Sequence, residues 1–459
     1  MTLLEAVCIA AIPKGPSIYS PLKNPDNNKE RRALILKQMF EDEIITSNEY
    51  EEALNSKLSL TGYNPNNQSE VAPYFQDYVL NELKNIPFVK DYASLGLKVY
   101  TTLNLGLNND INEAISNRID NDLETSIVAV EPSTGKILSL IGGKKYTNST
   151  FNRATSAYRQ PASTIKPFLY LTALENGFTS STTFTSEKTT FHYNNNSYSP
   201  SNYHNSYPNQ EISLAYAMAV SDNIYAVKTH MFLGMEKLKN CLVAFGLKSK
   251  IDAIPSLALG TNEVTNLNWT ECYQVLANEG VKITPYAIEK ITTFDGKILY
   301  EAKKEKIKVA EKDDVYILNE LMTNIFDSKM ILNTRPTGVS IASRLSNTFA
   351  AKSGSTDTDN WMVGYNKDLL ISVWTGYDDN RMITSKSDTY VAKYIWADIV
   401  EDYFKNKNTT WYETPDDVID IYLNPITGFY GNFNDYTKKL YFKKSNIPWY
   451  IRLMTENTI

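Results

Sequence analysis

A serine and a lysine stand three residues apart at the start of a predicted helix. Ser163 and Lys166 follow Pro161 and lead into an apolar run over residues 167–171. Residues three apart on a helix lie on one face, so Lys166 is expected to project beside Ser163. A serine hydroxyl attacks efficiently only when a base takes its proton, and a lysine can be that base when burial or a positive neighbour lowers its pKa. The pair predicts acyl transfer, with Ser163 as nucleophile and Lys166 as base.

A second polar group interrupts two apolar helical runs. Ser221, Asp222 and Asn223 follow the apolar residues 212–220. On its own, such a trio is typical of a helix cap. A polar trio between apolar helical segments is unusual in a core but natural in the wall of a cleft. Together with the serine–lysine pair, it is therefore a candidate part of the same site.

A third group follows a predicted strand. Lys352 comes directly after the apolar residues 349–351, and Ser353, Gly354, Ser355 and Thr356 continue the chain into a polar loop. This order predicts a sheet edge beside a groove. Gly354 would let a substrate backbone approach closely, because it has no side chain. The lysine and the hydroxyl groups suit a carboxylate ligand.

Composition narrows the class of protein that could contain these groups. The chain has 459 residues, of which 42% are hydrophobic and 21% charged, as in soluble globular proteins of two or three domains. The formal net charge of −6 gives no basic footprint, so we expect no nucleic-acid partner. No stretch approaches the roughly 20 apolar residues of a membrane span, and residues 3–13 are predicted to form a core helix.

The three cysteines do not indicate thiol or metal chemistry. They form no C-x-x-C pair, and no metal-ligand spacing with the three histidines. We interpret them as small buried apolar side chains and expect neither a metal nor another cofactor. The residues are Cys8, Cys241 and Cys272, with His192, His204 and His230.

The first 125 residues are predicted to be mainly helical. Helices are expected at residues 30–40, 46–54, 74–83 and 107–119, and a strand at residues 97–103. Thr46 and Glu49 form a capping-box pattern at the start of the second helix. The polar, Asn-rich residues 64–70 are a plausible linker.

From residue 126 the pattern changes to strands at both ends of a helical region. Residues 127–130 and 137–140 flank Pro132, Thr134 and Gly135, which indicates a hairpin. Helices are expected to dominate residues 163–280, and strands return at residues 348–352, 361–365 and 369–374. This order predicts an α+β fold with one antiparallel sheet faced by a helical lobe.

The three motifs together resemble a known enzyme family. S-x-x-K, S-D-N and K-T-G, in this order, are the signature of penicillin-binding proteins and class A β-lactamases. The third motif reads K-S-G in this chain, which replaces one hydroxyl residue by another. Residues 159–163 also resemble the R-Q-P-G-S segment of class A penicillin-binding proteins, with Ala162 in place of glycine. Further resemblances lie at residues 5–21, 96–103, 255–260 and 263–265. The chain is identified as a member of the bifunctional, class A penicillin-binding proteins.

The resemblance implies an order of domains. Residues 1–60 would be the C-terminal remnant of a glycosyltransferase domain, 61–125 a linker or pedestal, 126–410 the penicillin-binding transpeptidase domain, and 411–459 a C-terminal extension. The glycosyltransferase motifs, membrane anchor and secretion signal of the family precede the matched segment. We therefore expect no glycosyltransferase activity from this chain, which would be a natural fragment or an expressed piece of a longer protein.

The resemblance also implies a role for each motif residue. Ser163 would attack the penultimate D-Ala of a stem peptide ending D-Ala-D-Ala, and Ser221 would pass a proton to the leaving D-Ala. The backbone N–H groups of Ser163 and Ser355 would form the oxyanion hole, while Asp222 would brace its loop. The implied catalytic residues are Ser163, Lys166, Ser221, Asn223 and Lys352, and the implied substrate-binding residues are Ser353, Gly354, Ser355 and Thr356.

The family also implies partners and a location. Peptidoglycan stem peptides, β-lactam antibiotics and other cell-wall synthesis proteins are the expected partners, on the cell-wall side of the bacterial cytoplasmic membrane. Two other functions remain open. A β-lactamase would need a deacylating base, for which Glu263 is the candidate between the second and third motifs. A non-catalytic β-lactam sensor would need a signalling partner.

Overall fold

The computed structural model describes residues 1–58, 60, 71–92, 96–407, 409–431 and 435–456. It divides into two compact units, Met1–Val71 and Ala72–Ile459. The predicted linker at residues 64–70 lies outside the described residues. None of the helices within these ranges is both long and apolar enough to cross a membrane. The finer division into four domains stays a prediction.

The first unit is a small cluster of three helices. Thr46 and Glu49 form the predicted capping box, in which each side chain accepts a hydrogen bond from the other residue's backbone N–H. Val7, Leu36 and Ala53 are buried together, one from each helix. The predicted helices of this unit are therefore confirmed. They are α1 (Leu3–Ala11), α2 (Pro25–Glu41) and α3 (Ser47–Asn55).

The second unit contains the remaining helices and all the strands described. Its helices are α4 (Pro73–Lys84), α5 (Val89–Tyr92), α6 (Leu105–Arg118), α7 (Arg153–Ser156), α8 (Lys166–Glu175), α9 (Leu214–Val220), α10 (Asn223–Leu233), α11 (Glu236–Phe245), α12 (Asn266–Ala277), α13 (Lys312–Thr323), α14 (Val339–Ala342), α15 (Asp388–Phe404) and α16 (Trp449–Glu456). The helices predicted at residues 74–83 and 107–119 are confirmed as α4 and α6.

The strands form one large sheet and several small ones. They are β1 (Leu97–Thr101), β2 (Glu124–Glu131), β3 (Lys136–Ile141), β4 (Thr183–Ser186), β5 (Phe191–Tyr193), β6 (Asn196–Tyr198), β7 (Gln210–Ser213), β8 (Val281–Lys282), β9 (Ile288–Thr293), β10 (Ile298–Glu301), β11 (Ile307–Lys308), β12 (Ala350–Ser355), β13 (Asp359–Tyr365), β14 (Leu370–Gly376), β15 (Val418–Leu423) and β16 (Lys438–Lys443). The large sheet has the order β12-β13-β14-β2-β3. Every neighbouring pair in it is antiparallel. The predicted α+β class is confirmed, and β12, which bears the third motif, is an edge strand.

The large sheet is buried between two layers. On β13, Trp361, Val363 and Tyr365 pack into the helical lobe, whereas Met362 packs on the opposite side with Trp396 of α15. This alternation is the period-two pattern of a strand buried on both faces. The lobe covers one face with α12 and α13, while α8 packs against α13; α6 and α15 cover the other face.

The lobe is less uniformly helical than predicted. The strands β4 and β7 pair antiparallel, and β5 and β6 form a separate hairpin, within a region expected to be dominated by helices. The intervening residues 187–209 are rich in Asn, Tyr and Ser and lack an apolar helical stripe, so they cannot bury a helix face. Ser186, the last residue of β4, and Asn202, in this segment, brace the second motif.

Candidate active site

Ser163 lies in a tight turn immediately before α8. The turn, Ala162–Ile165, is a 3₁₀ helix, and Lys166 is the first residue of α8. Pro167 has no N–H with which to bond the Ser163 carbonyl in the α-helical pattern. The N–H of Lys166 bonds that carbonyl instead, one residue earlier, which tightens the turn. Ser163 is therefore placed on a 3₁₀ turn rather than in the first turn of an α-helix.

Two glycines allow the serine turn to lie against its neighbours. A Cβ at position 354 would lie 2.7 Å from the Pro161 carbonyl oxygen, and one at position 260 would collide with the backbone of Ala162. Gly260 also has a φ of +72°, which favours glycine. The close approach that requires Gly354 is thus that of the protein's own turn. Its predicted approach to a substrate remains a prediction.

The residue before the nucleophile is held in a strained conformation. Ala162 has a φ of +49°, in the left-handed region that L-residues rarely adopt. This is the position at which the resembled segment has glycine. Strain of this kind persists only where the surroundings enforce it, here Gly260, whose carbonyl accepts the Ala162 N–H at 3.3 Å.

Lys166 is fully buried and reaches the second motif. Its Nζ donates to the Ser221 carbonyl at 2.7 Å, the Asp222 carbonyl at 3.2 Å and Asn223 Oδ1 at 2.7 Å. Asn223 Nδ2 donates to the Ser201 carbonyl at 2.7 Å, which fixes the amide so that its oxygen faces the lysine. Burial lowers the pKa of Lys166 to about 7, although the charge of Asp222 acts to raise it. A neutral amine is therefore accessible at neutral pH.

Ser221 lies between two lysines. Its Oγ is 3.2 Å from Lys166 Nζ and 2.9 Å from Lys352 Nζ. Ser221 ends α9 in the left-handed region, with a φ of +60°. Lys352 is fully buried, and burial, together with the positive charges of Lys166 and Lys393, holds its pKa well below the usual range. The hydroxyl can thus accept a proton from one amine and donate to the other when one is neutral.

A buried network fixes the loop that contains the second motif. The Asp222 carboxylate accepts from Ser186 Oγ at 2.6 Å, Asn202 Nδ2 at 2.7 Å and the N–H of Tyr225 at 2.7 Å. Asn202 Oδ1 in turn accepts the N–H of Asn223 at 2.8 Å. The Asp222 carboxylate therefore caps α10 and is occupied by protein donors. No sequence signal identifies Ser186 and Asn202, because both lie in the region of short strands between α8 and α9.

Side chains from the sheet and α12 hold the other side of the serine turn. Trp361 Nε1 donates to the Gln160 carbonyl at 2.8 Å, and Trp269 Nε1 donates to Thr164 Oγ1 at 2.9 Å. Arg159 lies 4.9 Å from the ring centre of Trp374 and 3.7 Å from Asp359. These contacts connect the turn to β13 and β14 of the sheet and to α12 of the lobe. The serine is therefore positioned by both the sheet and the lobe.

The third motif presents hydroxyl groups along β12. Ser353 is buried and Ser355 is exposed. Within the ranges that the structure describes, the hydroxyls of Ser163, Ser353 and Ser355 make no hydrogen bond to another protein group. Thr356 differs, because its Oγ1 accepts the N–H groups of Thr358 and Asp359 and so stabilises the turn to β13. Its predicted contact with substrate remains a prediction.

Glu263 is exposed in a groove beside the serine turn. The groove has a volume of about 760 Å³ and is lined in part by Arg159, Gln160, Glu263 and Thr356. The next residue, Val264, pairs with the backbone of Arg159. The candidate deacylating base is thus in the same neighbourhood as the site.

The cysteines are placed away from these contacts. Cys8 and Cys272 are buried and Cys241 is partly buried. Burial raises the pKa of Cys241 to about 12, which keeps it a thiol. Among the described residues, no group of three His, Cys, Asp or Glu side chains is arranged to hold a metal ion.

The site thus combines a sheet edge, a strained serine turn and two buried lysines that meet at a second serine. Residues 125–400 match the family model described as the penicillin-binding protein transpeptidase domain. The chain belongs to this family, and within it to the class A penicillin-binding proteins. Four of the five predicted catalytic residues, Lys166, Ser221, Asn223 and Lys352, are joined by hydrogen bonds. Ser163 lies one turn before Lys166 but is not hydrogen-bonded to it.

Curated relatives and solved structures support the same family. The chain is 40% identical over 435 residues to penicillin-binding protein 2D of Bacillus subtilis, covering 94% of this chain and 63% of that protein. It is 30% identical to penicillin-binding protein 1B of Vibrio cholerae, over 82% of this chain and 49% of that one. The crystal structure of penicillin-binding protein 1A from Haemophilus influenzae shares the fold, with a TM-score of 0.82 and 20% identity, covering 98% of this chain and 86% of that chain. A structure of PonA1 from Mycobacterium tuberculosis in complex with penicillin V gives a TM-score of 0.65 and 19% identity, over 78% of this chain and 97% of that one.

Proposed function

We propose that this chain is a peptidoglycan D,D-transpeptidase that works through an acyl-enzyme on Ser163. The observation that supports this most directly is the position of the Ser221 hydroxyl, within hydrogen-bonding distance of both Lys166 and Lys352. Two buried amines and a shared hydroxyl can move a proton from an attacking serine to a leaving amine. The substrate is a stem peptide ending D-Ala-D-Ala.

Acylation begins with neutral Lys166. The amine takes the proton of the Ser163 hydroxyl as Oγ attacks the carbonyl carbon of the penultimate D-Ala. The N–H groups of Ser163 and Ser355 stabilise the developing oxyanion. The close approach of the serine turn to Gly354 supports this arrangement, because it brings the turn and β12 together. Burial that lowers the pKa of Lys166 to about 7 supports its role as a base near neutral pH.

Collapse of the tetrahedral intermediate breaks the peptide C–N bond. The leaving nitrogen takes a proton from Ser221, which is reprotonated by the lysine that accepted the Ser163 proton. D-Ala departs and the acyl group remains on Ser163. An amine of a second stem peptide then attacks the ester and forms the cross-link, or water does so and gives carboxypeptidation. Asn223 holds the donor backbone and keeps Lys166 in place.

The terminal carboxylate of the donor binds at β12. Lys352 supplies positive charge, and the hydroxyls of Ser353 and Ser355 have no protein partner among the described residues, so they are available as donors. A β-lactam resembles the D-Ala-D-Ala end, including this carboxylate, and acylates Ser163 in the same way. Peptidoglycan and other cell-wall synthesis proteins are the proposed partners, on the cell-wall side of the cytoplasmic membrane.

The chief alternative is a β-lactamase, which would hydrolyse the acyl-enzyme rapidly. The exposed position of Glu263 in the groove beside the serine turn is the observation that keeps it open. A deacylating base must hold and deprotonate a water against the ester, and its loss typically costs about 10²–10⁴-fold in rate. A non-catalytic sensor would also keep its acyl group, but would not transfer a stem-peptide acyl group to an added amine.

The experiment follows covalent labelling and the loss of label. The purified chain is acylated with radiolabelled penicillin, excess is removed, and the labelled peptide is mapped. We expect the label on Ser163, a lifetime of many minutes, and the same lifetime in Glu263→Gln. A label on another serine would refute the nucleophile. Rapid release in the wild type that slows sharply in Glu263→Gln would favour the β-lactamase. Failure to transfer a stem-peptide acyl group to an added amine would favour the sensor.

A further inference from the structure

A third lysine lies beside the two that meet at Ser221. Lys393 is in the second turn of α15, on the opposite side of the sheet from the helical lobe, and no motif includes it. Its Nζ donates to the Thr337 carbonyl at 2.8 Å. The N–H of Thr337 donates to the Ala219 carbonyl at 3.0 Å. Two hydrogen bonds therefore link Lys393 to α9, two residues before Ser221.

The end of α9 is a place where such a link matters. Ser221 adopts a φ of +60°, and an L-residue in this region stays there only when its surroundings enforce the conformation. Asp222 and Asn223 hold the loop after Ser221, through the Asn202 network. The Lys393–Thr337 pair is hydrogen-bonded to Ala219, in the segment before Ser221. The loop is thus held on both sides of the serine.

Lys393 also contributes charge. Its positive charge acts on Lys352 and lowers the pKa of that residue, after burial and the charge of Lys166. Burial lowers the pKa of Lys393 itself to about 8, so it is mostly protonated at neutral pH. The ring of Tyr390, one turn earlier on α15, lies 5.4 Å from its Nζ. Among the described residues, Asp222 is the carboxylate whose charge acts on Lys166, and its oxygens are occupied by protein donors.

We propose that Lys393 is a positioning residue for acyl transfer, which fixes the Ser221 loop through Thr337 and acts as a positive neighbour of the carboxylate-binding Lys352. This inference rests on the proposed function. A carboxylate that binds at Lys352 favours its protonated form, which the neighbouring positive charge of Lys393 disfavours. Lys393 therefore sets the upper pH at which the site takes an anionic acyl donor. The hydrogen-bond link affects the rate at every pH, and the charge affects the pH dependence.

The test measures the second-order rate of acylation by benzylpenicillin as a function of pH. In Lys393→Met, loss of the link lowers the rate at neutral pH by about tenfold. The fall in acylation rate at high pH, the alkaline limb of the profile, reports deprotonation of Lys352. The rate is lost as pH rises through the pKa of that residue. Removing the positive neighbour raises this pKa, so the limb moves to higher pH by about one unit. Lys393→Arg, which keeps a donor and a charge, retains the wild-type limb and a rate within about twofold of the wild type.

Lys228→Met is the matched control. Lys228 is a partly buried lysine of α10 whose Nζ also donates to a backbone carbonyl, that of Thr185, at 2.7 Å. We expect no movement of the alkaline limb in this variant. Lys393→Gln, which loses the charge but keeps an N–H donor, serves if Lys393→Met does not fold, and its limb moves in the same direction.

The outcomes separate this inference from the function on which it rests. A limb that superimposes on the wild type in Lys393→Met and Lys393→Gln overturns the charge role of Lys393 while leaving acylation of Ser163 intact. An unchanged rate at neutral pH in Lys393→Met overturns the link to Ser221. Absence of acylation in the folded wild type refutes the proposed function itself, whatever the variants do.

Discussion

The two serines of the site, Ser163 and Ser221, are built alike but connected differently. Each lies at an end of a lobe helix where the backbone enters the left-handed region: φ is +49° at Ala162, the residue before Ser163, and +60° at Ser221 itself. The Ser221 hydroxyl lies between two lysine amines at 3.2 and 2.9 Å. The Ser163 hydroxyl makes no hydrogen bond to another group in the described part of the chain.

The difference separates a group that acts on a ligand from one that acts on protons. A hydroxyl that attacks a carbonyl must be free to approach it, and catalytic hydrogen bonds often form only when substrate binds. A hydroxyl that relays protons must already be in contact with the donor and the acceptor. At Ala162 and at Ser221 the left-handed backbone conformation persists only because the surroundings enforce it. The four predictions below test this division of labour.

The largest expected effect comes from exchanging the two serines for alanine in turn. Ser163→Ala should abolish covalent labelling by a fluorescent penicillin, because it removes the hydroxyl that forms the ester. Ser221→Ala should still be labelled on Ser163, but about 10²–10³-fold more slowly, because the proton relay is broken. Stopped-flow labelling with peptide mapping measures both effects, and circular dichroism checks that each variant is folded. Equal loss of labelling in both variants would remove the distinction between nucleophile and relay.

Lys166→Met should slow acylation by about 10²–10⁴-fold, since it removes the base. In the wild type, the rate should fall about tenfold per pH unit below a pKa of about 7 and level off above it, until the alkaline limb assigned to Lys352 begins. The rate falls on the acid side because the base must be a neutral amine, and Lys166 is neutral only above its lowered pKa. A pH profile of the acylation rate measures this. A flat acid side would mean that Lys166 is not the base.

The three motifs and the sheet could be predicted from the sequence because each depends on local pattern. Ser163 and Lys166 are a helix turn apart, and the sheet-edge prediction for Lys352 rests on the apolar residues 349–351 before it and the polar loop that follows the motif. The order of the motifs was enough to recognise the family. The hairpin of β2 and β3 was equally clear, since its turn residues are local.

The partners of those residues could not be predicted, because they come from distant parts of the chain. Lys166 bonds to Asn223, 57 positions away, a contact that the family resemblance implies but that no local pattern indicates. Asn202 and Ser186 lie in the region of short strands between α8 and α9. The helical and strand periodicity of its sequence is too weak to place them. The approach of a substrate to Gly354 stays a prediction, but its second role, accommodating the Pro161 carbonyl, is a contact that no single-strand pattern contains.

A smaller effect is expected from the brace behind the Ser221 loop. Asn202→Ala removes the acceptor of the Asn223 and Ile224 N–H groups and one donor to Asp222. Leaving these buried groups unpaired should lower the free energy of unfolding by about 3 kcal/mol. Because the loop is then less fixed, acylation should also slow by about tenfold. Urea denaturation and labelling kinetics measure the two effects.

Asn112→Ala is the control for that brace. Asn112 is an exposed residue of α6 whose side chain donates to the Asn108 carbonyl, on the other side of the sheet. Its loss should change the stability by no more than about 0.5 kcal/mol and leave acylation unchanged. If Asn202→Ala behaves like Asn112→Ala, the network holds neither the loop nor its hydroxyl.

The smallest effect is expected at the strained residue before the nucleophile. An L-residue in the left-handed region costs about 1–2 kcal/mol, whereas glycine has no such cost. Glycine also gains freedom in the unfolded chain, which offsets about 0.4–1 kcal/mol of that gain in stability. Ala162→Gly should therefore raise the free energy of unfolding by about 0.5–1 kcal/mol, measured by urea denaturation. Acylation should remain within about twofold of the wild type, since Gly260, Gly354 and Trp269 still hold the turn. Ala173→Gly, in the last turn of α8, should instead destabilise the protein by about 1 kcal/mol. A stabilised Ala162→Gly that acylates much more slowly would show that the methyl group, rather than these neighbours, holds the Ser163 hydroxyl in place for attack.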